Sequence, residues 1–170
     1  MTAGGWALVA LAGLVLAAAG LRSVSRSDAA LGPPSSVALQ SARTPERVEQ
    51  LKALWGPRVP HAVAAIRWDF LLIAGYTALL VGAVGVSSPA VAELVGVRGA
   101  AVFWPAAGVA LLAAACDAAE NVASLSELRH PATASTAGAA VSFARAKWML
   151  LALVAAWLLL AALPMALVRW

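Results

Sequence analysis

The residues of this sequence with the chemistry to act on a ligand are Asp69, Tyr76, Asp117, Glu120, Asn121, Arg145 and Lys147. Asp117, Glu120 and Asn121 stand three and four positions apart, the spacing that returns side chains to one helix face. Asp69 and Tyr76 are seven apart, so on a helix they align, with the phenol roughly 10 Å further along at ~1.5 Å per residue. Arg145 and Lys147 are two apart and diverge by roughly 200°, so one of them faces away from any site the other joins. Carboxylate and amide oxygens suit a hard divalent ion: Mg2+ is the candidate, with Asp69, Asp117 and Glu120 as its ligands and Arg145 or Lys147 on phosphate oxygens. A metal-free alternative makes Glu120 or Asp117 a general acid, with Tyr76 as its proton or hydrogen-bond partner. In both, Asp69, Asp117, Glu120 and Tyr76 are the catalytic candidates, while Asn121, Arg145 and Lys147 bind substrate. A third reading needs no ligand, because ion pairs such as Asp69 with Arg145 would pin helices together.

The elements that must position these groups are membrane spans. Of 170 residues, 62% are apolar, well above the roughly 45–50% of soluble domains. The stretches 2–21, 70–92, 99–116 and 148–168 hold no Asp, Glu, Lys or Arg, and each is long enough to cross ~30 Å of hydrocarbon. The expected fold is all-α: a transmembrane four-helix bundle forming one domain over 1–170, with spans at about 4–21, 68–86, 99–119 and 148–167. A soluble enzyme is excluded by this composition. The first span reads as retained rather than as a cleaved leader, because Arg22 and Arg26 follow its apolar core and no basic residue precedes it.

Lys and Arg residues near span ends are retained on the cytoplasmic side. Arg22, Arg26, Arg43, Arg47, Lys52, Arg58 and Arg67 fall between the first two spans, and Arg129, Arg145 and Lys147 between the last two, against Arg98 and Arg169 elsewhere. Both chain ends are therefore expected outside, with the acids and the long connections at the cytoplasmic face of a bacterial inner membrane. Alternating topology then brings the start of span two, the end of span three and the start of span four to one depth, where the candidate residues can meet.

Within the cytoplasmic loop 22–67, "RSVSRSDAALGPPSS" reads as irregular chain. Thr44 and Pro45 open a short helix over about 45–55, and Gly56-Pro57 ends it. Val48, Leu51, Leu54 and Trp55 form its apolar face, directed either to the membrane surface or to other parts of the chain. Ser124, Ser126, Thr133, Ser135 and Thr136 are expected in a polar loop. Trp6 and Trp170 mark the outer boundary, with Trp104 just inside it, and Trp68 and Trp148 mark the inner one. Ala106, Ala110, Ala114 and Ala118, with Gly13 and Ala17, form small-residue faces for close helix packing, within the bundle or between copies in a homo-oligomer. The single cysteine, Cys116, excludes a paired-thiol redox site, and His61 and His130 are isolated loop residues rather than zinc ligands. The dispersed basic residues carry no nucleic-acid-binding motif.

At "LWGP", "RWDFLLIAGYTALL", "DAAEN" and "ARAKWMLL" the chain resembles small four-span bacterial membrane proteins, a likeness that implies a layout and no activity. The order of one span, a long loop and three spans is also similar, in layout, to the EXPERA family of sterol isomerases and lipid-binding receptors. That resemblance implies an intramembrane pocket with acidic residues. The expected function is binding, with or without chemical modification, of a lipid or isoprenoid-like amphiphile at a carboxylate-rich cytoplasmic site. The alternative is a non-enzymatic interaction protein, or a subunit of a membrane complex, whose charges are interhelical ion pairs.

Overall fold

The computed structural model describes residues 1–167, with side chains described through Ala162; Arg169 and Trp170 lie outside the described residues. Helix α1 covers Ala3–Leu31, α2 Pro45–Trp55, α3 Val59–Val95, α4 Gly99–Arg129 and α5 Ala134–Leu167. Short 3-10 turns at Ser36–Ser41 and Gly56–Arg58 flank α2. Four of these helices, α1, α3, α4 and α5, are long and apolar enough to cross a membrane. The chain is an all-α, multi-pass membrane protein built as a four-helix bundle.

Neighbouring long helices run antiparallel, and α3 is central, packed against α1, α4 and α5. Inside the bundle the buried positions are small. Gly13 and Gly20 of α1 lie against the α3 backbone at Leu79 and Leu72, and Gly75 and Gly82 of α3 lie against Ala17 and Ala10. A Cβ at Gly75 would overlap the backbone nitrogen of Ala17, so only glycine permits this approach. Lipid tails are as apolar as leucine, so helices in a membrane associate by close van der Waals packing rather than by burying large side chains. Leu11, Leu14, Leu111, Leu112 and Leu153 accordingly point outward. Ala106, Ala107, Ala110 and Ala113 are buried along α4, while Ala114 and Ala118 are half-buried.

The large buried apolar side chains gather at one end of the bundle instead. Leu31, Leu39, Val48, Leu51 and Trp55 are fully buried there, in a cluster that includes Ala62, Ile66 and Leu128. The indole N–H of Trp55 donates to the Pro34 carbonyl at 2.7 Å. Helix α2 thus seats its apolar face on protein, leaving Leu54 exposed. Its bounds follow its caps: the Thr44 hydroxyl accepts from the Arg47 N–H at 3.3 Å, Pro45 occupies the first turn, and Gly56 takes φ +51°.

Two stretches expected as loops are helical. α1 continues through residues 22–31, because the Ser23 and Ser27 hydroxyls bond the carbonyls of Ala19 and Ser23, one turn back, and Leu31 is buried beneath α2. Irregular chain starts only at Gly32, whose φ is +73°, and the Asp28 carboxylate then accepts from the Ser36 N–H at 2.9 Å. Likewise α4 holds Ser124 and Ser126, and α5 holds Ser135 and Thr136, so the expected polar loop shrinks to a few residues around Pro131. Thr133 and Thr136 close the start of α5 with reciprocal bonds of each hydroxyl to the other's backbone N–H, at 3.1 and 3.2 Å. Helix α2 ties this corner down. Glu49 accepts from the Ala132 N–H at 3.0 Å, and Lys52 bridges Glu49 at 2.9 Å and the His130 carbonyl at 3.0 Å. The Ala132 N–H, and after it Lys52, hold the Glu49 carboxyl below the usual range.

Candidate functional site

Six of the seven candidate residues gather between α3, α4 and α5 in two adjacent polar sets. Tyr76, Asp117, Glu120 and Lys147 form one and Asp69 with Asn121 the other, with Asp69 and Tyr76 half-buried. On α3, Tyr76 lies two turns deeper in the bundle than Asp69; on the antiparallel α4, Asp117 lies one turn deeper than Asn121. Deep meets deep and shallow meets shallow: the Tyr76 hydroxyl donates to Asp117 Oδ2 at 2.9 Å, and Asn121 Nδ2 donates to Asp69 Oδ2 at 2.8 Å. Lys147 enters from α5 and donates to Asp117 Oδ1 at 2.8 Å. Its Nζ also lies 2.7 Å from Glu120 Oε2, within ion-pair distance but off the hydrogen-bonding direction. Asp117, Glu120, Asn121 and Lys147 are all buried, Glu120 to 1% exposure. The offset of three and four residues on α4 is what turns all three of its polar groups toward α3 and α5.

Arg145 is not part of this network. Two residues from the buried Lys147, it lies on another face of α5 and is exposed, so the pairing of Asp69 with Arg145 does not form. The three-carboxylate magnesium site does not form either. Lys147 stands between Asp117 and Glu120 where an ion would sit, and Asp69 is turned to Asn121. Among the described residues, no group of three His, Cys, Asp or Glu side chains is placed to hold a metal ion.

Two spaces adjoin the network. A cavity of about 50 Å³ is lined by Asp69, Glu120, Asn121 and Ser124 on one side and by Ser36, Val37 and Gln40 of the 3-10 turn on the other. Its size suits a few waters rather than an amphiphile. Val37 and Gln40 also line a second, open groove of about 780 Å³ between residues 34–43 and α5, which includes Arg43, Arg145, Trp148 and Met149. The 3-10 turn is therefore a partition with the acids behind it and the groove in front.

Gln40, Val37 and Arg43 were not among the sequence candidates. Gln40 and Val37 sit in a stretch with no periodicity, and Arg43 carried only a topological signal. A further unforeseen group is Glu127, near the end of α4 and about two turns past the apolar stretch that spans the membrane. It is 1% exposed, and neither carboxylate oxygen has a hydrogen-bond partner. The Thr136 hydroxyl donates instead to the Thr133 carbonyl at 3.0 Å. Burial pushes the Glu127 carboxyl above the usual range.

No family model matches this chain, and neither a curated protein nor a solved structure matches it.

Proposed function

We propose that this protein binds a membrane amphiphile, lipid or isoprenoid-like, in the groove between residues 34–43 and α5, with its polar end toward the carboxylate network. The observation that supports this reading is the partition. Val37 and Gln40 face both the groove and the cavity that holds Asp69, Glu120 and Asn121, so a ligand in the groove lies one side chain away from the acids. The groove's volume falls within the roughly 300–1,000 Å³ usual for ligand sites, whereas the cavity alone excludes an amphiphile. The same end of the bundle carries Arg22, Arg26, Arg43, Arg47, Lys52, Arg58, Arg67, Arg129 and Arg145, and only Arg98 among the described basic residues lies at the other. On that asymmetry the site faces the cytoplasm of a bacterial inner membrane, with both termini outside.

A second reading is favoured by the ion pairs themselves. Lys147, held by Asp117 and Glu120, fastens α5 to α4, while Tyr76 and Asn121 fasten α4 to α3. On this reading the network is a structural clasp in an interaction protein and the groove holds no specific ligand.

Native mass spectrometry separates the two. Val37 is 56% exposed, so Val37→Trp fills the groove without disturbing a core. The amphiphile reading expects a bound small molecule on the purified protein and its loss in Val37→Trp, with the variant still folded and monodisperse. A variant carrying the same adduct as the wild type contradicts it.

A further inference from the structure

We infer that the groove recognises a phospholipid through its phosphate, held by Arg43 and Arg145, with an acyl chain laid along α5. This rests on the amphiphile reading above and names the class of ligand. The groove is lined by Pro34, Ser35, Ala38, Ser41, Val141 and Ala144 beside the residues already named, and its only charged side chains are the two arginines. Both are exposed, and among the described residues neither pairs with a carboxylate. Arg43 from residues 34–43 and Arg145 from α5 thus flank the groove from its two sides, with no acid lining it, and present guanidinium donors to a phosphate between them. Asp69 and Glu120 are screened from the groove by Val37 and Gln40 and face the separate cavity.

The remaining surface argues for a lipid rather than a water-soluble phosphate. Trp148 and Met149 are 62% and 71% exposed at the groove's edge. Met149, Leu153 and Leu160 are spaced by four and seven, and all three are exposed. They form one apolar ridge running roughly 16 Å down the helix, comparable to the ~15 Å hydrocarbon depth of one leaflet. An indole at the boundary, two arginines beside it and an apolar ridge leading away match a molecule that is anionic at the interface and hydrocarbon below it.

The test is a native mass spectrometry titration of the detergent-solubilised full chain with phosphatidylglycerol, with diacylglycerol, which lacks the phosphate, and with inorganic phosphate. It compares the wild type, Arg43→Gln/Arg145→Gln, Arg22→Gln/Arg26→Gln and Val37→Trp. At about 1 kcal/mol per arginine near a lipid surface, the groove double variant should bind phosphatidylglycerol roughly 30-fold more weakly. The Arg22/Arg26 variant, which loses the same charge from exposed positions on α1, should stay near the wild type. Inorganic phosphate alone should bind none of the four proteins measurably, and phosphate binding as tightly as phosphatidylglycerol would overturn the lipid. Equal loss in the two double variants would overturn the inference, because diffuse basic attraction would then account for the binding. Diacylglycerol binding as tightly as phosphatidylglycerol, with Val37→Trp excluding both, would overturn the phosphate but keep the amphiphile site. Phosphatidylglycerol binding undiminished by Val37→Trp would remove the groove and the inference together.

Discussion

Replacing Lys147 with methionine removes the one cation from the network while keeping an unbranched side chain of similar length. Lys147 is 4% exposed and lies within 2.8 Å of Asp117 and 2.7 Å of Glu120. Two buried carboxylates, three residues apart on α4, would then face each other with only the Tyr76 hydroxyl donating to the pair. Breaking a buried ion pair from one side costs about 3–5 kcal/mol. For a chain of this size, about 2–4 °C of thermal midpoint accompanies each kcal/mol, so the midpoint should fall by roughly 6–20 °C. Neutralising the acids as well, in Lys147→Met/Asp117→Asn/Glu120→Gln, should recover most of that loss, since it removes the uncompensated charge. The assay is thermal unfolding in detergent followed by the fraction remaining monodisperse. A Lys147→Met midpoint within about 2 °C of the wild type, or a triple variant less stable than the single one, would refute the clasp of α3, α4 and α5 drawn from these contacts.

Gly75→Ala places a Cβ against the Ala17 backbone, and overpacking of this kind costs about 1–3 kcal/mol; Gly108→Ala meets nothing within 4 Å and should leave the midpoint unchanged or slightly higher. Both are read by the same thermal assay. Glu127 adds a pH dependence of defined sign. Its folded carboxyl titrates above its unfolded value of about 4.3, so its contribution to stability is complete below that value and is lost as pH rises through the folded one. Midpoints measured across pH should show Glu127→Gln more stable than the wild type at about pH 8, with the gap closing toward about pH 4.

The bundle was legible in the sequence because charge-free stretches of spanning length have few alternatives in a chain of this composition. The network was legible for a related reason. Spacings of three, four and seven on Asp117, Glu120, Asn121, Asp69 and Tyr76 set their faces, and alternating topology set their depth. Which of Arg145 and Lys147 turns inward was not, since their divergence of roughly 200° says only that they part. The close approach of α1 and α3 was legible only on the α1 side, in Gly13 and Ala17; its fuller signal is that Gly13 and Gly20, like Gly75 and Gly82, are seven residues apart. The extent of α1 was hidden because serine and arginine resemble a loop by composition, whereas Ser23 and Ser27 satisfy their hydroxyls along the helix. The groove had no local pattern to betray it. It arises where the short 3-10 turn holding Val37 and Gln40 is folded back against α5, an arrangement fixed by Leu39 and Trp55 in the apolar cluster at that end.

Whether an amphiphile occupies the groove beside the acids is tested most directly by photo-crosslinking in reconstituted vesicles, using phosphatidylglycerol with a diazirine near its head group and peptide mapping of the adducts. Occupancy of the groove predicts adducts concentrated at residues 37–43 and 141–149, and their loss in Val37→Trp. Adducts spread equally over outward-facing positions at the same depth on α1, α3 and α4, and unchanged by Val37→Trp, would contradict it.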